Sequence, residues 1–157
     1  MGLIPKIIIA GVALAAVTAG GAIVRSKVPL REPPGPGKRL VTYLSKNHAQ
    51  TRPDHEFPEL RSRTYPMPAE ELFKTVTDAV ADLGWESVDR DSTRRKIHAV
   101  VTTPWLGFKD DVEIVLEASG ENATMLQISS RSRAGRADYG ANIGHITRLQ
   151  NALSTHL

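Results

Sequence analysis

Two stretches of alternating residues, separated by four turn-forming ones, constrain this chain most. In "DDVEIVLEA", residues 110–118, Val112, Ile114 and Leu116 fall on one side and Glu113 and Glu117 on the other. A strand patterned this way keeps one face in a core and the other in water. "SGEN", residues 119–122, supplies the reversal, and "ATMLQISSRSR", residues 123–133, returns with Leu126 and Ile128 at the same spacing. Side chains opposite one another across a hairpin share a face. Val112 and Ile114 must therefore lie on the side of Leu126 and Ile128, which requires pairings whose residue numbers sum to an even value near 242. Asp111 then stands opposite Arg131 on the outer face, with Arg133 one step further along it. Asp110 points inward, beside Ser130 or Ser132.

The segments around this hairpin extend the pattern. "ELRSRTYP", residues 59–66, reads as a strand. Pro68 opens a helix, with Glu70 and Glu71 in the first turn, where the macrodipole favours acids. Leu72, Val76, Ala79, Val80 and Leu83 form its apolar stripe, and Gly84 ends it. Strands follow at 85–91 and 96–103, joined by a turn at 92–95. A last helix, from about 139 to 156, places Ile143, Ile146, Leu149, Leu153 and Leu157 on one side. The order β-α-β-β-β-β-α predicts an α+β fold, an antiparallel meander with both helices on one face, because each helix has one stripe to bury. Trp85, Trp105 and Phe108 are expected to fill the core between sheet and helices.

The return strand runs into "ISSRSRAGRADYGAN". Asp138 stands where a helix N-cap would, and Gly135 and Gly140 permit the chain to reverse. The last helix comes back along the inner face, so Asp110 is expected under its N-terminus, facing unpaired backbone N–H groups. Asp110, Asp111, Ser130, Arg131, Ser132, Arg133, Arg136, Asp138 and Asn142 then form one polar cluster joining a strand end, a tight loop and a helix start. A structural lock is one reading of it. A site for a lipid headgroup or small anion is the alternative, since Arg133 and Arg136 lie beside a helix N-terminus. Catalysis lacks a base within the segment. His98 and His145 are isolated in the sequence and read as surface or satisfied core histidines. No phosphate-binding loop, dinucleotide-binding glycine motif or HExxH occurs. His48, Asp54, His55 and Glu56 match no standard metal-ligand spacing. No metal and no cofactor is expected.

Ahead of residue 59 the chain changes character. Residues 7–24, "IIIAGVALAAVTAGGAIV", contain no charge, and about 20 such residues span a bilayer. Residues 1–27 read as a single-pass anchor that meets the bilayer through residues 3–24. A cleavable signal peptide ending at Ala19 is the rival; the apolar run continues past that point, straight into Arg25 and Lys27. Arg25, Lys27, Arg31, Lys38 and Arg39 outweigh Lys6, which puts the domain in the cytoplasm by the positive-inside rule. A short tail bearing Lys6 also resembles a signal-anchor that exports the domain behind it. Residues 28–58 read as a basic Pro/Gly-rich linker; at 28–40 four prolines and two glycines oppose helix and ladder, which makes an extended spacer whose cations would sit near anionic headgroups. Residues 59–157 form the globular domain.

Charge follows the same division. Residues 1–58 hold 8 Lys/Arg and 3 acids, net +5, and residues 59–157 hold 12 and 14, net −2. The basic excess lies off the domain, which argues against nucleic acid as a partner. The absence of cysteine excludes disulfides, thiolate chemistry and an acylated lipoprotein cysteine.

"RSRTYPMPAEELF", "LGWE", "IHAVVTTPWLGFKDDVEI" and "SRSRAGRADYGANIGHI" resemble the bacterial and plastid family called domain of unknown function 1499, over about Glu59 to Leu157. The markers are F-x-D-D (Phe108, Asp110, Asp111) and S-x-S-R-x-G-x-x-D-x-G-x-N (Ser130, Ser132, Arg133, Gly135, Asp138, Gly140, Asn142). The family has no established activity, so the resemblance implies an arrangement and no reaction. It implies that the two markers belong together. The anchor, the linker and the lack of catalytic groups lead instead to the expectation of a membrane-anchored, non-enzymatic accessory or scaffold domain at the bacterial cell envelope, beside an integral membrane partner. Lipid or anion binding is the alternative function, and hydrolysis a third.

Overall fold

A computed structural model describes residues 18, 20–103 and 107–157. Its elements are α1 (Pro36–Ser45), β1 (His48–Gln50), a 3-10 turn (Pro58–Leu60), β2 (Arg63–Tyr65), α2 (Ala69–Asp82), β3 (Glu86–Asp91), β4 (Lys96–Thr102), β5 (Lys109–Ala118), β6 (Thr124–Ser132) and α3 (Ala141–His156). From β2 onward this is the expected order. The sheet is antiparallel throughout, with β3, β4, β5 and β6 as a meander; β1 and β2 both pair with the far edge of β6. β1 takes Ser129–Arg131 and β2 takes Thr124–Leu126, end to end along one strand.

The β5–β6 hairpin has the register expected from parity. Asp111 pairs with Arg131, Asp110 with Ser132 and Ile114 with Ile128. Val112, Ile114, Leu116, Leu126 and Ile128 are buried, and α2 and α3 lie against each other on that face. Fully burying an aliphatic side chain contributes about 1.5–3 kcal/mol. A slip by one residue would exchange Val112, Ile114 and Leu116 for Asp111, Glu113 and Val115, so the register is held by the core itself.

α2 begins as its sequence suggests, whereas α3 starts at Ala141 with Gly140, not Asp138, at the cap position. Pro68 is the residue before α2, Glu70 and Glu71 occupy its first turn, and Gly84 follows it at φ 68°. Leu72, Val76, Ala79 and Val80 of α2 meet Ile146, Leu149 and Leu153 of α3 in one core cluster. Leu157, expected on that stripe, is 55% exposed, because α3 ends one residue earlier. Among the aromatics expected in the core, Trp85 is buried, Phe108 is 50% exposed at the entrance to β5, and Trp105 lies outside the described residues.

The stretch 28–58, expected to be a linker whose prolines at 28–40 oppose helix and ladder, contributes a helix that begins inside those bounds and a short strand. Pro36 sits at the start of α1, where its missing N–H costs nothing. Arg39 and Tyr43 of α1 are fully buried. The Arg39 guanidinium forms an ion pair with Glu59, with Nη2–Oε2 at 2.9 Å. It also donates to the Pro33 carbonyl, to the Glu32 carbonyl (2.8 Å) and to Tyr43 Oη (3.0 Å), and lies 4.5 Å over the Phe57 ring. A cation expected near lipid headgroups is instead the centre of a buried joint.

The apolar run 7–24, expected to be a transmembrane anchor, falls largely outside the described residues. Among those described, residues 20–25 are helical, and no helix is long and apolar enough to cross a membrane. Beyond this turn the chain docks on the domain: Ser26 Oγ donates to the Tyr139 carbonyl at 3.2 Å, and Ile23 and Val28 are buried.

Candidate functional site: a polar lock at one end of the sheet

β5 begins and β6 ends at the same edge of the fold, and α3 starts just above them. Alternation along β5 sends its two adjacent acids to opposite faces. They build two linked clusters.

On the outer face, Arg133 donates to Asp111 through both arms of its guanidinium, Nε to Oδ2 at 2.8 Å and Nη2 to Oδ1 at 2.7 Å. This is the bidentate geometry that favours Arg over Lys. His98 Nε2 of β4 lies 2.8 Å from the same Oδ1. The Arg133 guanidinium, together with the His98 ring, outweighs partial burial and holds the Asp111 carboxyl at about 2, below its ordinary 3.8. Arg131 faces Asp111 across the ladder as expected, yet the ion pair goes to Arg133, one step along.

On the inner face Asp110 is 1% exposed and its Oδ2 lies 2.8 Å from His145 Nε2, a residue one turn inside α3. The backbone N–H groups expected to meet Asp110 are met by another acid. Asp138 Oδ1 accepts from the Gly140 amide at 2.8 Å, and its Oδ2 accepts from the Asn142 amide at 3.3 Å. Gly140, at φ 84°, is the residue from which α3 departs. Asp138 thus satisfies the first turn as a cap would, from two residues further out. Burial pushes its carboxyl up, against the pull of those hydrogen bonds.

Asn142 joins the pieces. It is fully buried, and its Oδ1 accepts from Ser130 Oγ at 2.6 Å. Its Nδ2 faces the Asn47 carbonyl at 2.8 Å, Ser132 Oγ at 3.0 Å and the Asp138 carboxylate. Those acceptors fix which end of the carboxamide points where. The loop 133–138 is tied back by Asn47 Nδ2, which donates to the Gly135 carbonyl at 3.0 Å, and by the Asp138 amide, which donates to the Lys46 carbonyl at 3.0 Å.

Of the nine residues expected to act together, Ser130, Ser132, Asp138 and Asn142 form one hydrogen-bonded group, Asp111 and Arg133 form a separate ion pair on the outer face, and Asp110 lies beside Ser132 in the ladder while its carboxylate goes to His145. Arg131 and Arg136 are exposed and form no ion pair with any described residue. Sequence reasoning missed His145, His98 and Asn47. His145 and His98 lie 35 and 13 residues from their carboxylates. For His98 a signal existed, because strand alternation places it on the outer face of β4 beside β5. Asn47 sits in the stretch read as spacer.

The cluster's chemistry is inward-looking. His145 is sealed, with 3% of its side chain exposed, against the edge of Trp85 at a ring-centroid distance of 6.0 Å. Its other ring nitrogen, Nδ1, faces the Arg148 guanidinium. The Ser130 hydroxyl donates to an amide, with no imidazole in contact. Among the described residues no group of three or more His, Asp or Glu side chains is placed to hold a metal ion.

No curated protein matches the sequence. Two solved structures are similar to this chain over part of its length. One is TTHA0849 from Thermus thermophilus, at 11% identity and a TM-score of 0.41, covering 69% of this chain and 95% of that one. The other is the di-domain ARO/CYC BexL from the BE-7585A biosynthetic pathway, at 16% identity and a TM-score of 0.36, covering 69% of this chain and 41% of that one. The two marker elements meet where Asp111 binds Arg133 and Asp110 pairs with Ser132 across the ladder. The sequence from residue 39 to residue 153 matches the model of a protein family of unknown function, and the chain belongs to the DUF1499 family.

Proposed function

We propose that this chain is a membrane-anchored, non-enzymatic accessory or scaffold domain of a bacterial envelope assembly, and that its polar cluster holds α3 on the sheet. The observation that carries this reading is the internal use of the cluster's charges. Arg133 spends both guanidinium arms on Asp111, Asp110 ends on His145, and Asp138 ends on the first turn of α3. The uncharged run at 7–24 supports the tether. A lipid or small-anion site would need guanidinium groups turned outward, and in this cluster only Arg131 and Arg136 are left for that role. A hydrolase would need a nucleophile bonded to a base, and Ser130 bonds to Asn142.

The test is recovery of the full chain from membranes. The expected result is a chain that resists salt and carbonate washes and, after crosslinking in intact membranes, elutes in mild detergent with a stoichiometric protein partner. Release by carbonate would refute the anchor. Retention without a partner above background would refute the accessory role. Turnover in a broad substrate screen would refute the non-enzymatic reading.

A further inference from the structure

α1 presents an apolar face that no described residue covers. Arg39 and Tyr43 point into the domain, while Leu40, Val41 and Leu44 are 43%, 66% and 44% exposed. Positions i, i+1 and i+4 of a helix share one side, so these three form a single stripe opposite the buried one. By contrast, α2 and α3 turn their apolar stripes inward.

The chain that leaves the uncharged run is tied to the inner side of the same helix through Tyr43. Ser26 and Val28 are held on the start of α3: a Cβ added at Gly140 would meet Val28 Cγ2 at 2.9 Å and Tyr43 Cδ1 at 3.6 Å. Tyr43 Oη donates to the Pro29 carbonyl at 2.9 Å, and the Tyr139 amide donates to the Tyr43 carbonyl. The end of the run and α1 are thereby fixed to each other through Tyr43. Val24, at 77%, and Tyr139, at 38%, add exposed apolar surface around this junction. Charge is suited to an anionic surface, since residues 25–46 carry Arg25, Lys27, Arg31, Lys38, Arg39 and Lys46 against Glu32 alone. Arg39 is used within the fold by Glu59 and Lys38 by Glu56, and Arg25 also has a partner, so the charge of the stretch rather than any single free cation is what suits that surface.

We infer that the outer face of α1, Leu40, Val41 and Leu44, lies in the interfacial layer of the same bilayer that holds residues 7–24, as a second membrane contact that fixes the tilt of the domain. It rests on the reading of that run as a membrane anchor. A short helix with one apolar side and basic flanks is the form that lies in the interface plane. A hinge-like tether alone would let the domain tumble, whereas two contacts joined through Tyr43 leave it one orientation.

The absence of cysteine makes the test direct. The full chain carrying Val41→Cys, Leu44→Cys or, as a control at the hairpin tip, Glu121→Cys is spin-labelled. Each is reconstituted in phosphatidylethanolamine–phosphatidylglycerol vesicles. All three positions are exposed in the fold, so the labels leave the core intact. The expected result is loss of collisions with a water-soluble nickel chelate and a gain of collisions with oxygen at 41 and 44, with the reverse at 121. A chain that floats with vesicles but remains open to the chelate at 41 and 44 overturns this inference and leaves the anchor standing. A chain that does not float overturns both. Protection accompanied by dipolar broadening between labels means that a second copy covers the stripe, which also overturns it.

Discussion

Asn142→Ala tests the lock where it is most exposed to refutation. The carboxamide joins β6, the residue before β1 and the approach to α3, but truncation strands its partners unequally. The Asn47 carbonyl still accepts the Ser132 amide at 3.0 Å. Asp138 keeps the amides of Gly140 and residue 142, and Ser132 is only half-buried. Ser130, 1% exposed, loses the partner it holds at 2.6 Å and gains none. An orphaned buried hydroxyl costs about 1–3 kcal/mol, and losing a hydrogen bond to a charged carboxylate costs about 1.5–3 kcal/mol. With partial relaxation the sum is about 3 kcal/mol, equivalent to a fall in Tm of about 10 °C for a domain of this size. The measurement is urea unfolding of the full chain in mild detergent, followed by tryptophan fluorescence. The double variant Ser130→Ala, Asn142→Ala removes both ends of the 2.6 Å bond, so it should lose less than the two single variants together, by about 1 kcal/mol or more. A cost for Asn142→Ala below about 1 kcal/mol, or strict additivity in the double variant, would refute the lock.

Three further outcomes are expected. Asp111, held at about 2 against an ordinary 3.8, gives stability that is complete above pH 3.8 and is lost as pH falls through 2, so the Tm difference between wild type and Asp111→Asn should shrink over that window; Asp138, pushed up by burial, acts with the opposite sign, which makes the difference, rather than the wild-type acid limb, the quantity to measure. Arg39→Met leaves Glu59 beside a buried apolar group and should cost about 3–5 kcal/mol by thermal melting, with part recovered on adding Glu59→Leu; no recovery would mean that the guanidinium's carbonyl contacts dominate. Gly144→Ala places a Cβ 2.8 Å from the Ser26 carbonyl oxygen, so the segment at 22–28 should lift and tryptic cleavage at Lys27 and Arg31 accelerate, while the core melts nearly unchanged; unaltered cleavage would show that this segment is not held by α3.

The contrast between what the sequence made legible and what it hid comes from range. Parity along two adjacent strands is local, so the hairpin register, and with it the opposite faces of Asp110 and Asp111, could be read from Val112, Ile114, Leu126 and Ile128. The same logic stops one residue short of chemistry: a ladder partner is fixed by backbone, whereas Arg133 reaches Asp111 diagonally with a long side chain. His145 pairs with Asp110 through the docking of a whole helix, which no periodicity encodes. The error at 28–58 has a different cause. The four prolines of 28–40 read as helix-breaking, yet Pro36 stands at the one place in α1 that tolerates a proline. Arg39 was hidden because a buried arginine is recognised only by its partners.

β6 gives its outer edge to two short strands, three residues each, and the sheet's other boundary is β3. That boundary is broken by an irregularity between Ser87 and Asp89 and carries Glu86, Asp89, Arg90 and Asp91. Neither flank offers a long flat row of free amides and carbonyls for a neighbour's strand to add to. Copies crowded side by side can therefore press together without polymerising through their backbones, and any contact they make has to be chosen by side chains.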